Sequence, residues 1–242
     1  MPYESHRFAN KTQHNYIFAA WLVKTFGQAE LRQGRGVLDI AGGNGGVSFE
    51  LSVRYGIPST LLEMRTSVQL SSMTRRRMKR IQANRCRSIN PDQSPMFQHL
   101  ILHDLAPHDD GGTIPEISLC LNSHDLPFTH IPCKFPEYLS DLMKDPELTS
   151  LVLSASILVG VHPDEATEAI VDTAIHFKIP FAIVPCCLHS ALYPDRMLAI
   201  DRVVNSYDLF IEYLTSKHSS IQRVHLPFDG RNICLYCAQY DT

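Results

Sequence analysis

The sequence lacks a membrane-spanning segment: in its 242 residues, no apolar run approaches the ~18–20 residues that a transmembrane helix requires. Residues 1–15 contain neither the apolar core of a signal peptide nor a convincing arginine-rich amphipathic presequence. We therefore expect an intracellular protein of the cytoplasm or the nucleus, with no membrane partner. A mitochondrial location stays open.

The sequence also lacks a disulfide framework. Its seven cysteines are odd in number and scattered, which suits free thiols in a reducing compartment. Cys234 and Cys237 have the spacing of a metal-binding pair, but residues three apart on a strand face opposite sides of a sheet. Cys186, Cys187 and His189 form another conceivable set, yet adjacent cysteines do not easily bind one ion tetrahedrally. We therefore predict no metal site.

Net charge is small as well, at −3. This value averages over an uneven distribution, in which one basic run contains no acid. Such a run can follow a phosphate backbone, which suggests RNA as a partner, whereas the ordinary alternative is a solvated helix face without stacking aromatic residues. The run consists of Arg75, Arg76, Arg77, Lys79 and Arg80, extended by Arg85 and Arg87.

The predicted elements alternate as in a doubly wound α/β sheet. At this length the chain can bury one large core, so we predict a single domain over residues 1–242, with a helical lead-in over 1–35. Residues 105–134 have weak periodicity and are predicted to be an irregular insertion. The predicted strands are 37–40, 58–63, 99–103, 156–161, 180–184 and a hairpin of 221–226 with 232–237; the predicted helices are 15–31, 46–55, 135–149, 164–177 and 205–216.

The most informative segment is residues 37–46, where an apolar strand ends in a glycine cluster that opens a helix. Missing side chains and free N–H groups at a helix start are typical of a nucleotide site. The pattern A-x-G-x-x-G, through Gly43 and Gly46, is one substitution from the dinucleotide fingerprint. Asp39 argues against a dinucleotide, because its carboxylate would face the anionic pyrophosphate. It would instead attract the cationic sulfonium and amino group of S-adenosylmethionine.

This segment resembles motif I of the class I, Rossmann-like methyltransferases, D-x-G-x-G-x-G, with Ala41 in place of the first glycine. The resemblance implies S-adenosylmethionine as the cofactor and a mostly parallel sheet with an antiparallel C-terminal β-hairpin and helices on both faces. Glu63, roughly 20 residues beyond the loop, would bind the ribose hydroxyls, and Asp104, after the predicted third strand, would bind the adenine. The methionine end would be held by Asp39, Gly42, Gly43 and Gly45.

Two later segments resemble a tRNA 2′-O-methyltransferase family and its methyltransferase-like relatives: residues 160–168, G-V-H-P-D-E-A-T-E, and residues 185–189, P-C-C-L-H. The first is one residue short of the family's G-K-H-x-x-G-A-x-T-D segment. The second has Leu188 where a histidine often stands, and the family's zinc-finger modules are missing. The resemblance implies that His162 and Asp164 serve catalysis. It also implies a substrate side formed by Cys186, Cys187 and His189.

These residues also have structural interpretations. Pro163 or Asp164 is suited to begin a helix, and the adjacent cysteines are suited to be small buried hydrophobic residues. Both interpretations stay open beside the catalytic one.

The predicted function is methyl transfer from S-adenosylmethionine to an unidentified acceptor, for which RNA is a candidate, with His162 accepting the nucleophile's proton. The alternative is a methyltransferase-like protein that has lost catalysis and serves as an RNA-binding or assembly factor. An NAD-dependent oxidoreductase fits poorly with Asp39 and with the C-terminal hairpin.

Overall fold

The structure is a computed structural model that describes residues 13–70, 72, 74–76, 78–79, 126–199 and 202–241. Residues 74–76 and 78–79 are helical, and a 3-10 helix, Asp164–Ala166, lies in the second half. The strands are β1 (Val37–Ile40), β2 (Ser59–Leu62), β3 (Thr129–Ile131), β4 (Ile157–Val161), β5 (Phe181–Val184), β6 (Met197–Ala199), β7 (Arg202–Val203), β8 (Gln222–His225) and β9 (Ile233–Cys237). The helices are α1 (His14–Phe26), α2 (Gln28–Leu31), α3 (Gly46–Tyr55), α4 (Leu139–Leu142), α5 (Pro146–Leu153), α6 (Thr167–Phe177) and α7 (Tyr207–Ser216).

One sheet of seven strands organises the fold, in the order β3-β2-β1-β4-β5-β9-β8. The pairs from β3 through β5 are parallel, whereas β9 is antiparallel to both β5 and β8. The chain runs outward from β1 to β3 and then crosses back to β4, so its direction of winding reverses between β1 and β4. The predicted fold class, a mostly parallel Rossmann-like sheet that ends in an antiparallel hairpin, is confirmed.

Helices cover both faces of this sheet. Alternate residues of a strand point to opposite faces, so Leu38 of β1 packs with α5, α6 and α7, while Val37 packs with α1 and α3. Because the central strands are buried on both sides, they are apolar almost throughout, and this explains why continuous runs predicted them well.

Local capping explains where two helices begin or end. Gly56, with φ +60°, ends α3 in the left-handed region, as the sequence predicted. The predicted helix over 135–149 is divided into α4 and α5, because Asp145 accepts hydrogen bonds from the N–H groups of Glu147 and Leu148 and Pro146 starts a new helix.

The strand beside β2 is β3, inside the range predicted as an irregular insertion. That part of the prediction is wrong, because three exposed or half-buried edge residues give too short a pattern to recognise. The predicted third strand at 99–103 and the rest of the insertion up to residue 125 lie outside the described residues. The small antiparallel pair of β6 and β7 was not predicted. Within the described part, every helix is too short or too polar to span a bilayer.

Candidate functional site

The carboxyl ends of β3, β2, β1 and β4 meet at one edge of the sheet, where the winding reverses. Open α/β sheets bind their ligands at such a reversal. A pocket of about 560 Å³ lies there, a size that suits a small cofactor. Its wall is formed mainly by the segments that follow these four strands: residues 41–43, 63–65, 133–135 and 161–166.

The glycine loop, residues 41–46, brings bare backbone to this pocket. Gly42 lies against the Asp39 carboxylate, so a Cβ at this position would collide with Oδ1. A Cβ at Gly43 would have only the Arg65 guanidinium within 4 Å, at 3.5 Å, so this glycine faces nearly open space. Backbone at Gly43 is therefore accessible to a ligand, as the nucleotide interpretation requires.

Ala41 occupies the first glycine position of the motif in a left-handed conformation, with φ +53°. This conformation costs an L-residue about 1–2 kcal/mol, because Cβ approaches the following carbonyl oxygen. The loop therefore requires a left-handed residue at position 41. Glycine would adopt this conformation without strain, although the sequence has alanine there.

A glycine at this position should relieve the strain. We expect Ala41→Gly to leave the free energy of unfolding unchanged or to raise it by up to about 1 kcal/mol, once the backbone entropy of glycine is subtracted. The matched control is Ala20→Gly in α1, which should lower the free energy of unfolding by about 1 kcal/mol. Urea denaturation of both variants checks this, and equal losses would show that Ala41 is not strained.

Asp39 lies beneath the glycine loop and not in the pocket wall. Its Oδ2 accepts hydrogen bonds from the Ser48 N–H at 3.2 Å and the Ser48 Oγ at 2.7 Å, and Ser48 Oγ accepts one from Ser59. The carboxylate thus satisfies a free N–H in the first turn of α3. Its Oδ1 is buried and has no hydrogen-bond partner among the described residues. Asp39 therefore supports the loop from below, and its contact with the methionine end of the cofactor stays a prediction.

Burial raises the pKa of the Asp39 carboxyl to about 6, against the opposing effect of the Ser48 hydrogen bonds and with a further increase from Glu63. A raised pKa means that the folded state holds the proton more tightly than the unfolded state. The contribution of Asp39 to stability is therefore largest below pH ~4 and is lost as the pH rises through 6.

Asp39→Asn should remove this pH dependence. Relative to the wild type, the free energy of unfolding of the variant should rise by about 2 kcal/mol from pH 4 to pH 7. Because the other carboxyl groups are the same in both proteins, their contributions cancel in this difference. Urea denaturation across this range measures it, and a constant difference would contradict the buried, raised carboxyl.

Glu63 connects the ends of β1 and β2 across the pocket. Its Oε2 accepts a hydrogen bond from the Gly43 N–H at 3.0 Å, and its Oε1 lies 3.1 Å from the Arg65 Nε. Arg65 also donates to Asn44 Oδ1 at 3.2 Å. The Arg65 N–H also donates to Oε1 at 3.4 Å, so the carboxylate accepts three hydrogen bonds. Because a carboxylate has about four lone-pair positions, Glu63 keeps roughly one of them for a ligand.

His162 stands in the pocket wall directly after β4, with φ +55°. Its Nε2 lies 3.1 Å from the backbone oxygen of Arg231. Because a carbonyl only accepts, Nε2 carries the proton and Nδ1 keeps its lone pair in the neutral ring. Nδ1 has no hydrogen-bond partner among the residues that the structure describes. The hydrogen bond therefore fixes the tautomer of the ring, and the lone pair of Nδ1 is available to accept a proton.

Asp164 also lies in the pocket wall, but it does not cap a helix with its side chain. The cap position of α6 is Ala166, which makes no side-chain cap, and Asp164 Oδ1 instead accepts from the Cys186 Sγ at 3.2 Å. Burial, followed by this hydrogen bond, raises the pKa of the Cys186 thiol. Of the two structural alternatives, a side-chain cap by Asp164 is not formed, whereas a 3-10 helix does begin at Asp164 directly after Pro163. The segments after β4 and β5 are in contact.

Strained backbone is concentrated at this edge. Among the described residues, five that are not glycine have φ in the left-handed region. Four of them follow β1, β4 or β5, whereas Lys178 simply ends α6. Such strain persists where surrounding structure enforces it, which is common at functional sites. The four are Ala41, His162, Asp164 and His189.

The structure brings together most of the predicted site residues that it describes. Gly45 is an exception, because it packs against Phe128 and Leu61 away from the pocket. Asp104 lies outside the described residues, as do Arg77 and Arg80. Cys186 adjoins the pocket through Asp164, and the pocket wall contains neither cysteine of the pair nor His189. The predicted residues in the wall are Ala41, Gly42, Gly43, Glu63, His162 and Asp164.

The sequence analysis did not predict that the segment after β3 forms part of the pocket wall. Lys134 pairs there with Glu137 at 2.7 Å and with Glu165 at 3.3 Å, at the mouth opposite the glycine loop. With the third strand predicted elsewhere, nothing in the sequence placed residues 133–137 at the sheet edge.

Three residues of the basic run belong to the described part of the chain. Arg75, Arg76 and Lys79 are exposed, and no acidic side chain in the described part of the chain pairs with them. Met78 anchors this segment, since it is buried with Phe49 and neighbouring apolar residues.

No protein-family model matches the sequence, and no curated protein matches it significantly. Several solved structures show a distant likeness to it. A mutant of MtNAS in complex with S-adenosylmethionine is 12% identical, with a TM-score of 0.38, and the match covers 96% of this chain and 65% of that one. The METTL16 MTase domain is 13% identical, with a TM-score of 0.41 and coverage of 93% and 67%. An rRNA methylase from Streptococcus thermophilus is 11% identical, with a TM-score of 0.34 and coverage of 88% and 93%.

These likenesses concern the fold alone, and this chain spans only about two thirds of the MtNAS and METTL16 chains. The strand order and the antiparallel last pair by themselves give a mostly parallel Rossmann-like sheet that ends in an antiparallel hairpin, which is the sheet predicted from the methyltransferase resemblance.

Proposed function

We propose that the protein is a methyltransferase that uses S-adenosylmethionine. The observation that carries this proposal is the convergence of the glycine loop, Glu63 and His162 on one pocket at the winding reversal of a methyltransferase fold. Each of the three follows a different strand, so the fold itself creates the site.

The residues present fit such a cofactor. Gly43 presents open backbone, and Glu63 retains an acceptor position for a ribose hydroxyl. The buried Asp39 Oδ1, which has no partner among the described residues, places negative potential beneath Gly42. A dinucleotide would bring its pyrophosphate toward this potential, whereas a cationic methionine end would be stabilised by it. We therefore assign the methionine end to the glycine loop and the ribose to Glu63.

The bound cofactor supplies a methyl group on a positively charged sulfur. The protein's contribution is mainly to position the acceptor and to exclude water. His162 Nδ1 accepts the proton of the acceptor's nucleophile, and the bond from Nε2 to the Arg231 carbonyl holds the ring in place. Asp164, two residues further on, borders the same side of the pocket.

RNA is the acceptor class that the surface favours. Arg75, Arg76 and Lys79 offer positive charge without a described acidic partner, on a segment anchored by Met78. Basic side chains of this kind bind phosphate groups and release counterions.

If RNA binds there, affinity should fall steeply with salt. Replacing Arg75, Arg76 and Lys79 with alanine should flatten the plot of log affinity against log salt by roughly 0.7 units for each lost contact, or about 2 units in total. Lys144→Ala serves as the control. This exposed lysine lies just after α4, outside the basic run, and pairs with Asp141 of that helix. An unchanged slope would remove the basic run from the RNA-binding surface.

Methyl transfer tests the proposal directly. The protein should transfer the labelled methyl group of S-adenosylmethionine to a component of the RNA fraction of a cell extract. Transfer to a protein fraction instead would keep the enzyme and overturn the RNA acceptor. No transfer to either fraction, by a protein that binds the cofactor, would favour an RNA-binding or assembly factor without catalysis.

A further inference from the structure

Asp164, Cys186 and Cys187 form a cluster of metal-ligating side chains at the ends of β4 and β5. One carboxylate oxygen and the two sulfurs all lie within 4.8 Å of one another. Ligands of a tetrahedral zinc ion, at ~2.0–2.3 Å from the metal, are separated by roughly 3.3–3.8 Å. Cys186 Sγ and Asp164 Oδ1 are already 3.2 Å apart. Small side-chain rotations would therefore suffice to place all three around one ion.

The adjacency of the cysteines is no obstacle in this conformation. Neighbouring residues of a strand face opposite sides of the sheet. Residues 185–189, however, follow β5 in an irregular conformation, so Cys186 and Cys187 turn their sulfurs toward the same point. The sequence-based objection was that adjacent cysteines do not easily bind one ion tetrahedrally. It considered His189 as the third ligand and did not include Asp164, which comes from the segment after β4.

The surroundings of the cluster also allow a cation to bind. No lysine or arginine in the described part of the chain forms an ion pair with Asp164, so no basic side chain there competes with a metal ion for its carboxylate. Asp164 and Cys187 are exposed and Cys186 is half-buried, which leaves the cluster open to an ion from solvent. Two thiolates with one carboxylate are soft enough to prefer zinc over magnesium or calcium.

We propose that Asp164, Cys186 and Cys187 bind a thiophilic divalent cation of the zinc type. Three protein ligands leave a fourth position open, as in catalytic rather than structural zinc sites. Because Asp164 also lines the pocket, the cation lies beside the predicted acceptor end of the site. This site does not depend on the proposed methyl transfer, and its test needs no S-adenosylmethionine.

Cobalt titration tests the site, because cobalt replaces zinc in such sites and its thiolate complexes absorb in the near ultraviolet. The protein, reduced with a phosphine that is then removed, should bind one Co²⁺ with a sulfur-to-metal absorption band, and Zn²⁺ should abolish the band. Cys186→Ser and Cys187→Ser should each weaken Co²⁺ affinity at least about tenfold, a loss already typical for an outer-shell partner. Asp164→Asn should weaken binding but keep the band.

Cys133→Ser is the matched control, since Cys133 is another half-buried thiol at the same pocket but is not part of the cluster. It should bind Co²⁺ like the wild type. As a measurement that needs no variant, Zn²⁺ added to weakly buffered wild-type protein at pH 7 should release about two protons per ion as the thiols ionise. A band that persists in the double variant of Cys186 and Cys187, or Zn²⁺ addition without proton release, would overturn the site.

Discussion

Replacing His162 with alanine should lower the rate of methyl transfer by about 10²–10⁴, the usual effect of removing a general base. Affinity for S-adenosylmethionine should stay within a few-fold of the wild type, because His162 follows β4 whereas the cofactor residues follow β1 and β2. The loss of the hydrogen bond to the Arg231 carbonyl should cost roughly 0.5–1.5 kcal/mol of stability. Single-turnover kinetics and thermal denaturation of the same preparation separate the two effects.

Glutamine at this position is the decisive control. Its amide Nε2 reaches the position of the histidine Nε2 and can donate to the Arg231 carbonyl, but it has no basic nitrogen. His162→Gln should therefore keep the hydrogen bond that the alanine variant loses and still be as slow as the alanine variant. If the glutamine variant methylates at the normal rate, His162 is a structural residue and the base must be sought elsewhere.

Glu63→Ala should weaken S-adenosylmethionine binding at least about tenfold. Charge-assisted hydrogen bonds to ribose hydroxyls contribute about 1.5–3 kcal/mol each, and the substitution also releases the Gly43 N–H that Glu63 holds. Glu63→Gln should lose less, because its amide oxygen can still accept from Gly43. Calorimetric titration of each variant measures these losses.

The matched control for Glu63 is Glu137→Gln, which removes a negative charge from the opposite wall of the same pocket. Its affinity for S-adenosylmethionine should remain near that of the wild type. Equal losses in the two variants would mean that only the overall charge of the pocket matters and that Glu63 has no specific ribose contact.

The sequence predicted the central part of the fold well for a physical reason. Strands buried on both faces, such as β4 and β5, are continuous apolar runs, and Gly56 marks the end of α3 with a residue suited to the left-handed region. The turn signal at Asp229-Gly230 likewise indicated the hairpin of β8 and β9, where Gly230 has φ +88°. Each of these features depends on residues that are close together in the chain, so the sequence alone is enough to predict it.

The features that the sequence did not reveal depend on contacts between distant segments. The edge strand β3 has only three residues, and its pairing with β2 leaves no pattern along the chain. The sequence did not reveal that Asp39 lies beneath the loop, where it accepts hydrogen bonds from Ser48, nine residues away. The contact of Asp164 with Cys186 joins segments after two different strands. Contacts between residues that are far apart in the chain can be identified only from the three-dimensional structure.

Calorimetric titration of the folded wild-type protein with S-adenosylmethionine, S-adenosylhomocysteine and NAD tests the central claim most directly. We expect both adenosyl ligands to bind at one site, with dissociation constants in the range of about 1 μM to 1 mM that is typical of enzyme substrates, and NAD not to bind. Binding of NAD, or no binding of either adenosyl ligand at millimolar concentration, would contradict the assignment of the pocket.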